Sequence, residues 1–259
     1  SNFKPHGVGT YTHLNGAVYK GLFREGKKHG HGVYRWPNGN VYEGPWVDGT
    51  MEGENAVMTF ATKAKYEGDY KAGRRSGQGT FIDTNGTVFS GQWVAGKQTG
   101  PGSMEMQDGM RYEGMFEEGL ASGAGKCVFP NGDCYEGMFV EGKRSGRGVH
   151  REKGGMTYEG EWVADKRQGA GMMTRPDGRC ISGVWMDDKL RVSQATATDT
   201  NGDKYEGQVD YDGNKDGVGT FTMAVGETYY GEFQQDKRWG FGKCTYADGE
   251  RYEGQWKDD

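Results

Sequence analysis

An aromatic–x–Gly triplet returns at one nearly constant period of about 23 residues, and that period limits the possible folds more than any other feature. The triplets begin at Tyr19, Tyr42, Tyr66, Phe89, Tyr112, Tyr135, Tyr158, Ile181 (the one aliphatic substitute), Tyr205, Tyr229 and Tyr252. Successive intervals between these anchors never differ by more than one position. Glycine stands two after every anchor, and an aromatic residue stands four after, from Phe23 to Trp256, with Val209 the exception. A glycine pair follows at eleven and thirteen, as in Gly30/Gly32, Gly77/Gly79 and Gly146/Gly148. Self-similarity at a fixed short period marks a repeat architecture whose units stack on their neighbours.

Composition agrees. Only 33% of the 259 residues are hydrophobic, while 48 are glycine, about twice the usual share or more. The apolar content leans on 15 Tyr, 11 Phe and 7 Trp, which argues against disorder. A net charge of −5, from 32 basic and 37 acidic residues, supplies no global field for nucleic acid or an anionic bilayer. No apolar run approaches the roughly 18 residues of a membrane span, and no signal peptide is expected. Four cysteines suggest a reducing compartment.

The spacing also predicts local structure. Trp36-Pro37-Asn38-Gly39 suits a type I turn closed by a left-handed glycine, the turn of a bulged hairpin. Counting back from it places Tyr34 opposite Tyr42, Gly32 opposite Gly44 and Gly30 opposite Trp46. Alternation with period two then puts all six on one face. A Trp or Phe opposite a glycine is expected to lie flat over the vacant position. The residue after the anchor, Glu in seven copies (Glu43, Glu67, Glu113, Glu136, Glu159, Glu206, Glu253), marks a polar, solvated face. The predicted fold is all-β: an elongated, twisted, single-layer antiparallel β-meander of about eleven hairpin repeats, one continuous array over 1–259. A kink or break is expected near 55–65, where Asn55 and Lys63 replace expected glycines, and near 189–200, where Val192 and Gln194 do.

Tyr135-Glu136-Gly137-Met138-Phe139, followed by Glu141-Gly142-Lys143-Arg144-Ser145-Gly146-Arg147-Gly148, resembles a MORN (membrane occupation and recognition nexus) repeat, as do Tyr158-Glu159-Gly160-Glu161-Trp162 and its successors. The resemblance spans essentially the whole chain, and its organisation is most similar to long MORN-only cytoskeletal scaffold proteins. The chain opens within a repeat and closes after one strand, as a segment cut from a longer array would. The resemblance implies a non-catalytic platform, cytoplasmic and cytoskeleton-associated, that binds protein partners and often self-associates.

Motifs that imitate catalytic or cofactor chemistry are by-products of the period. Gly21-x4-Gly26-Lys27 and Gly137-x4-Gly142-Lys143 lack the following Ser/Thr and helix of a phosphate loop. Asp212-Gly213-Asn214-Lys215-Asp216-Gly217 begins like a calcium loop, but its twelfth position is Met223 rather than Glu. Cys127 and Cys244 fall on the aromatic face, Cys134 and Cys180 on the polar one, and no CxxC pair exists. The five histidines form no triad. No enzyme, cofactor, metal or nucleic-acid partner is expected. A homodimer, and a partner helix or extended segment, are.

Three sets of residues carry the functional expectations. Tyr112, Phe116, Tyr135, Phe139, Tyr158 and Trp162 represent the aromatic face, left open to a protein partner because a single-layer sheet has no second layer. Tyr229, Phe233, Tyr252 and Trp256 represent a self-association end. Arg74, Arg75, Lys143 and Arg144, in the turns of one edge, carry the alternative: a peripheral adaptor for anionic phospholipids. Acidic residues in the same turns leave that membrane affinity weak.

Overall fold

The computed structural model describes residues 4–191, 195–210 and 212–259, and all of their regular secondary structure is strand. Contacts divide the chain into two compact units, 1–130 and 131–259. Each is an antiparallel meander in which strands pair with their sequence neighbours. In the first unit the strands run from Gly7–Thr12 to Leu120–Val128, and in the second from Cys134–Val140 to Arg251–Trp256.

The predicted register is the observed one. Tyr34 pairs with Tyr42, Gly32 with Gly44 and Gly30 with Trp46. At the outer turn Gly39 (φ 90°) donates to the Trp36 carbonyl at 3.0 Å, and Trp36 N–H donates to Asn40, the bulged type I turn read from Pro-Asn-Gly. The opposite turns are two-residue turns with both φ positive: Glu25/Gly26, Ala95/Gly96 and Asp187/Asp188, for example. That is the type I′ geometry whose twist matches paired strands.

One expectation is corrected in detail. The flat ring over the glycine gap belongs to the anchor tyrosine, not to the Trp or Phe four residues on. A Cβ at Gly21 or Gly32 would overlap the Tyr19 ring, and Gly137 and Gly148 stand in the same relation to Tyr135. The other glycine of the pair serves a different need. Gly30, Gly77, Gly146 and Gly240 have φ between 60° and 72°, at the point where the register slips after Gly21, Gly68, Gly137 and Gly231. The slip interrupts the ladder beside the carbonyl three after the anchor, and the anchor hydroxyl donates to that oxygen. Nine tyrosines do so at 2.5–3.2 Å, from Tyr19 to Leu22 through Tyr252 to Gln255.

Anchors and their partner aromatics then interlock edge to face. In the first unit the sequence Phe23–Tyr19–Trp46–Tyr42–Tyr70–Tyr66–Trp93–Phe89–Phe116–Tyr112 runs unbroken, with centroids 4.9–5.5 Å apart and planes at 81–90°. Pairs of this geometry contribute about 0.5–1.5 kcal/mol each beyond burial. In the second unit the ladder stops at Trp185 and resumes at Tyr205. Ile181, Leu190, Ala195 and Val209 fill the gap, each 0–3% exposed.

The two irregular stretches share a solution. Ala56 pairs with Gly68, and Ala195 with Gly207, so an alanine occupies the slot of the second glycine in both. Asn55, counted as that slot in sequence, is an inserted residue in left-handed conformation (φ 57°), and Lys63 takes φ 75° in place of the turn glycine. Val192 and Gln194 lie outside the described residues.

Two outcomes test this packing. Gly148→Ala should lose about 2 kcal/mol or more, because the added methyl meets the Tyr135 ring. Gly142→Ala, in an open turn with φ 79°, should lose only about 1 kcal/mol; urea unfolding separates them. Burial pushes the Tyr112, Tyr135 and Tyr158 phenols up to about 12 from 10.0. The unfolded chain therefore releases these protons first as pH rises. Their contribution is intact below pH 10 and is lost between pH 10 and about 12, so alkaline unfolding, followed by tyrosinate absorbance and circular dichroism, should fall in that window.

Candidate protein-interaction face

The six rings expected to meet a partner are interior. Tyr112, Phe116, Tyr135, Phe139, Tyr158 and Trp162 are 0–5% exposed, because each is covered by its own glycines and the neighbouring ring. In the expected self-association set Tyr229 and Phe233 are likewise buried, Trp256 is partly covered, and Tyr252 is 43% exposed. The Glu-bearing face is solvated as expected, yet it is not wholly polar: Val94, Met138, Val163 and Met186 are exposed there as well.

A second row of side chains lies on the aromatic face, at the fifteenth and seventeenth positions after each anchor, or one later in the three 24-residue repeats. In the first unit it is mostly apolar, broken by exposed Asp83, with Met58 and Cys127 buried and the other members half-buried. Tyr34, Phe81 and Met104 stand at the fifteenth position, Trp36, Met106 and Phe129 at the seventeenth, and Phe60 one later in its 24-residue repeat. Ring contacts tie members together, Tyr34 to Trp36 at 4.5 Å and Phe60 to Phe81 at 6.2 Å. In the second unit the equivalent positions hold His150, Glu152, Arg175 and Asp199, with buried Met173 and Ala197 between them, and then Phe221, Met223, buried Cys244 and exposed Tyr246. Tyr34 was placed on this face by counting in sequence. The rest of the row follows from the same count, but its residue types change from repeat to repeat and carry no periodic signal.

A third row, nine after the anchor, stacks cations on the tryptophans of the next repeat. Lys28 Nζ lies 4.3 Å from the Trp46 ring centre, and the guanidinium carbons of Arg75, Arg144 and Arg238 lie 4.1, 4.3 and 4.4 Å from those of Trp93, Trp162 and Trp256. Desolvation lowers the Lys28 and Arg75 pKa values from their usual ranges. Two residues of the expected lipid-binding set, Arg75 and Arg144, are thus half-buried on rings, while Arg74 and Lys143 are exposed.

The units treat these cations differently. In the second, Arg144, Arg167 and Arg238 each give their backbone N–H and Nε–H to a turn aspartate, Asp165, Asp188 or Asp259, at 2.9–3.3 Å. In the first, the equivalent turn residues are Gly49 and Gly96, whose N–H groups donate to the Lys28 and Arg75 carbonyls. Lys28 and Arg75 have no carboxylate partner among the described residues. Elsewhere in the second unit Arg179 bridges Asp199 and Asp236, which neutralise it, and Arg175 donates to Asn214 and the Asp212 carbonyl.

The loop that begins like a calcium site is closed on itself: Asp210 accepts the N–H groups of Asp212 and Asn214 and the Asn214 amide. Among the described residues no group of three or more His, Cys, Asp and Glu converges as a metal site.

A model of the MORN repeat matches residues 4–18, 19–41, 66–88, 89–111, 112–134, 135–155, 158–178, 205–228, 229–251 and 252–259. The chain belongs to the MORN-repeat family. The long unmatched stretches, 42–65 and 179–204, are the two irregular repeats. No curated protein is significantly similar to the chain in sequence. Among solved structures, the TCP10 domain of Danio rerio CPAP in complex with a peptide of Danio rerio STIL is 12% identical, with 95% of this chain and 98% of that one covered and a TM-score of 0.42. The TCP domain of Drosophila melanogaster SAS-4 (dCPAP), in complex with a proline-rich motif of Ana2 (dSTIL), is 16% identical, with 67% and 86% covered and a TM-score of 0.38.

A double-mutant cycle checks the clamp. Arg144→Gln and Asp165→Gly should each destabilise the fold, with a coupling of about 0.5–2 kcal/mol between them. Strict additivity in thermal or urea unfolding would show that the ion pair contributes nothing.

Proposed function

We propose that this MORN-repeat protein is a non-catalytic scaffold whose first unit holds a segment of a partner protein along the second row. One observation carries the reading. Residues such as Trp36, Phe60 and Met106 stay half-exposed on a face whose main aromatic row in the first unit is self-packed, and exposed apolar surface interspersed with polar groups, here Asp83, marks an interaction site. Lys28 and Arg75 add orientation, because their charge lacks internal compensation. The apolar row recurs in the second unit at Phe221, Met223 and Tyr246, but the cations there are paired with the unit's own carboxylates, which favours the first unit as the site. Reading anionic lipid through the edge turns is the weaker alternative, since Arg144 is held by Asp165 and Trp162.

Peptide-display selection on the full chain, followed by affinity measurement on variants, tests the assignment. Phe81→Ala and Met106→Ala should weaken selected binders about tenfold or more, whereas Met138→Ala on the Glu-bearing face should leave affinity unchanged. Binders sensitive to Met138 and indifferent to Phe81 and Met106 would place the site on the opposite face.

A further inference from the structure

The spacing and charge of the second row constrain what can lie along it, given that the row is the binding face. Successive repeats advance by two strands, about 9.6 Å. A ligand running across the strands repeats its contacts in register only if its own period matches. Polyproline II advances about 9.3 Å per three-residue turn. Seven residues of α-helix, about two turns, advance about 10.5 Å, and a β-strand re-presents one face about every 6.8 Å. Over three repeats the polyproline helix slips by about 0.9 Å, the α-helix by about 2.7 Å. The β-strand does not match at all. The row's chemistry agrees with the pitch, because aromatic surfaces accept pyrrolidine rings without needing the ligand to lose much conformational freedom.

Charge narrows the ligand further. Lys28 and Arg75 are two repeats apart, about 19 Å, or about six polyproline residues. Their counterparts Arg144, Arg167 and Arg238 are occupied by turn aspartates, while glycine at 49 and 96 leaves these two cations to a carboxylate from outside.

We propose that the partner segment is an acidic, proline-rich stretch in polyproline II conformation. It crosses the strands of the first unit with one turn per repeat, its prolines resting on residues such as Trp36, Phe60 and Phe129 and its carboxylates on Lys28 and Arg75.

The experiment uses the full chain and fluorescein-labelled synthetic peptides of about five polyproline turns. The probe carries proline at every third position and two Glu residues six apart. One comparator has the same composition with proline every fourth residue, a second has Lys in place of Glu, and a third is a Leu-heptad helix with the same Glu content. Fluorescence anisotropy should show the probe binding at least tenfold tighter than every comparator. On the protein side, Gly49→Asp with Gly96→Asp copies the clamp of the second unit. Nothing lies within 4 Å of a Cβ at either position, and Asp188 and Asp259 hold the same turn position at φ 69–71°. This double variant should weaken the acidic probe about tenfold and leave an all-neutral proline peptide unchanged.

Equal binding of the two proline spacings, or an unchanged affinity in the double variant, overturns the proposal. Tighter binding of the helical peptide, lost on Phe81→Ala, also overturns it while leaving the binding face intact. Binding by none of the peptides, with display-selected binders mapping to the Glu-bearing face, removes the face as well.

Discussion

The contact on which the rest of this structure depends is a tyrosine ring lying across a pair of cross-strand glycines. The ring needs both side chains to be absent, and its hydroxyl satisfies a carbonyl that the neighbouring bulge has released from the ladder. Backbone polar groups left unpaired away from water cost on the order of a lost hydrogen bond each, so in the tyrosine repeats ring, glycines and bulge support one another, while Phe89 keeps the ring and the glycines without the hydroxyl. From that unit follow the buried anchors, the edge-to-face ladder and the constancy of the repeat length. Each hairpin is marginal by itself, and its ring completes its packing only against the next repeat.

Much of this was legible in the sequence. The register, the outer turn and the sharing of one face came from the count between Pro-Asn-Gly and the anchor, because turn chemistry and strand alternation are local rules. The role of the glycines was only partly legible. Sequence shows that a gap exists, but the choice between the anchor ring and the ring four residues on depends on where the bulge re-aims the strand. The irregular repeats failed for a related reason. An inserted residue moved Ala56 into a slot that the count had given to Asn55, and only cross-strand pairing reveals that move.

The functional surface was harder to read for a different physical reason. Periodicity makes the anchors conspicuous, and the features that make them regular also bury them, so the most visible aromatic residues are the least available ones. The second row varies from repeat to repeat (Tyr34, Phe81, His150, Phe221) and gives no signal at a fixed period. One cue was present: every tryptophan of the ladder, from Trp46 to Trp256, has Lys or Arg at the eighteenth position before it. That regularity identifies the cations as ring partners rather than a free basic rim, a reading that three-dimensional stacking makes plain.

The second residue of each inner turn is glycine at 26, 49, 73, 96, 119 and 142, and aspartate at 165, 188, 236 and 259. Both satisfy the same backbone requirement, but only aspartate clamps the cation stacked in the preceding repeat. Glycine and aspartate codons are one base apart, so evolution can switch a repeat between quiet filler and charged contact without disturbing the sheet. A tandem array with such a position in every copy can be re-addressed one repeat at a time.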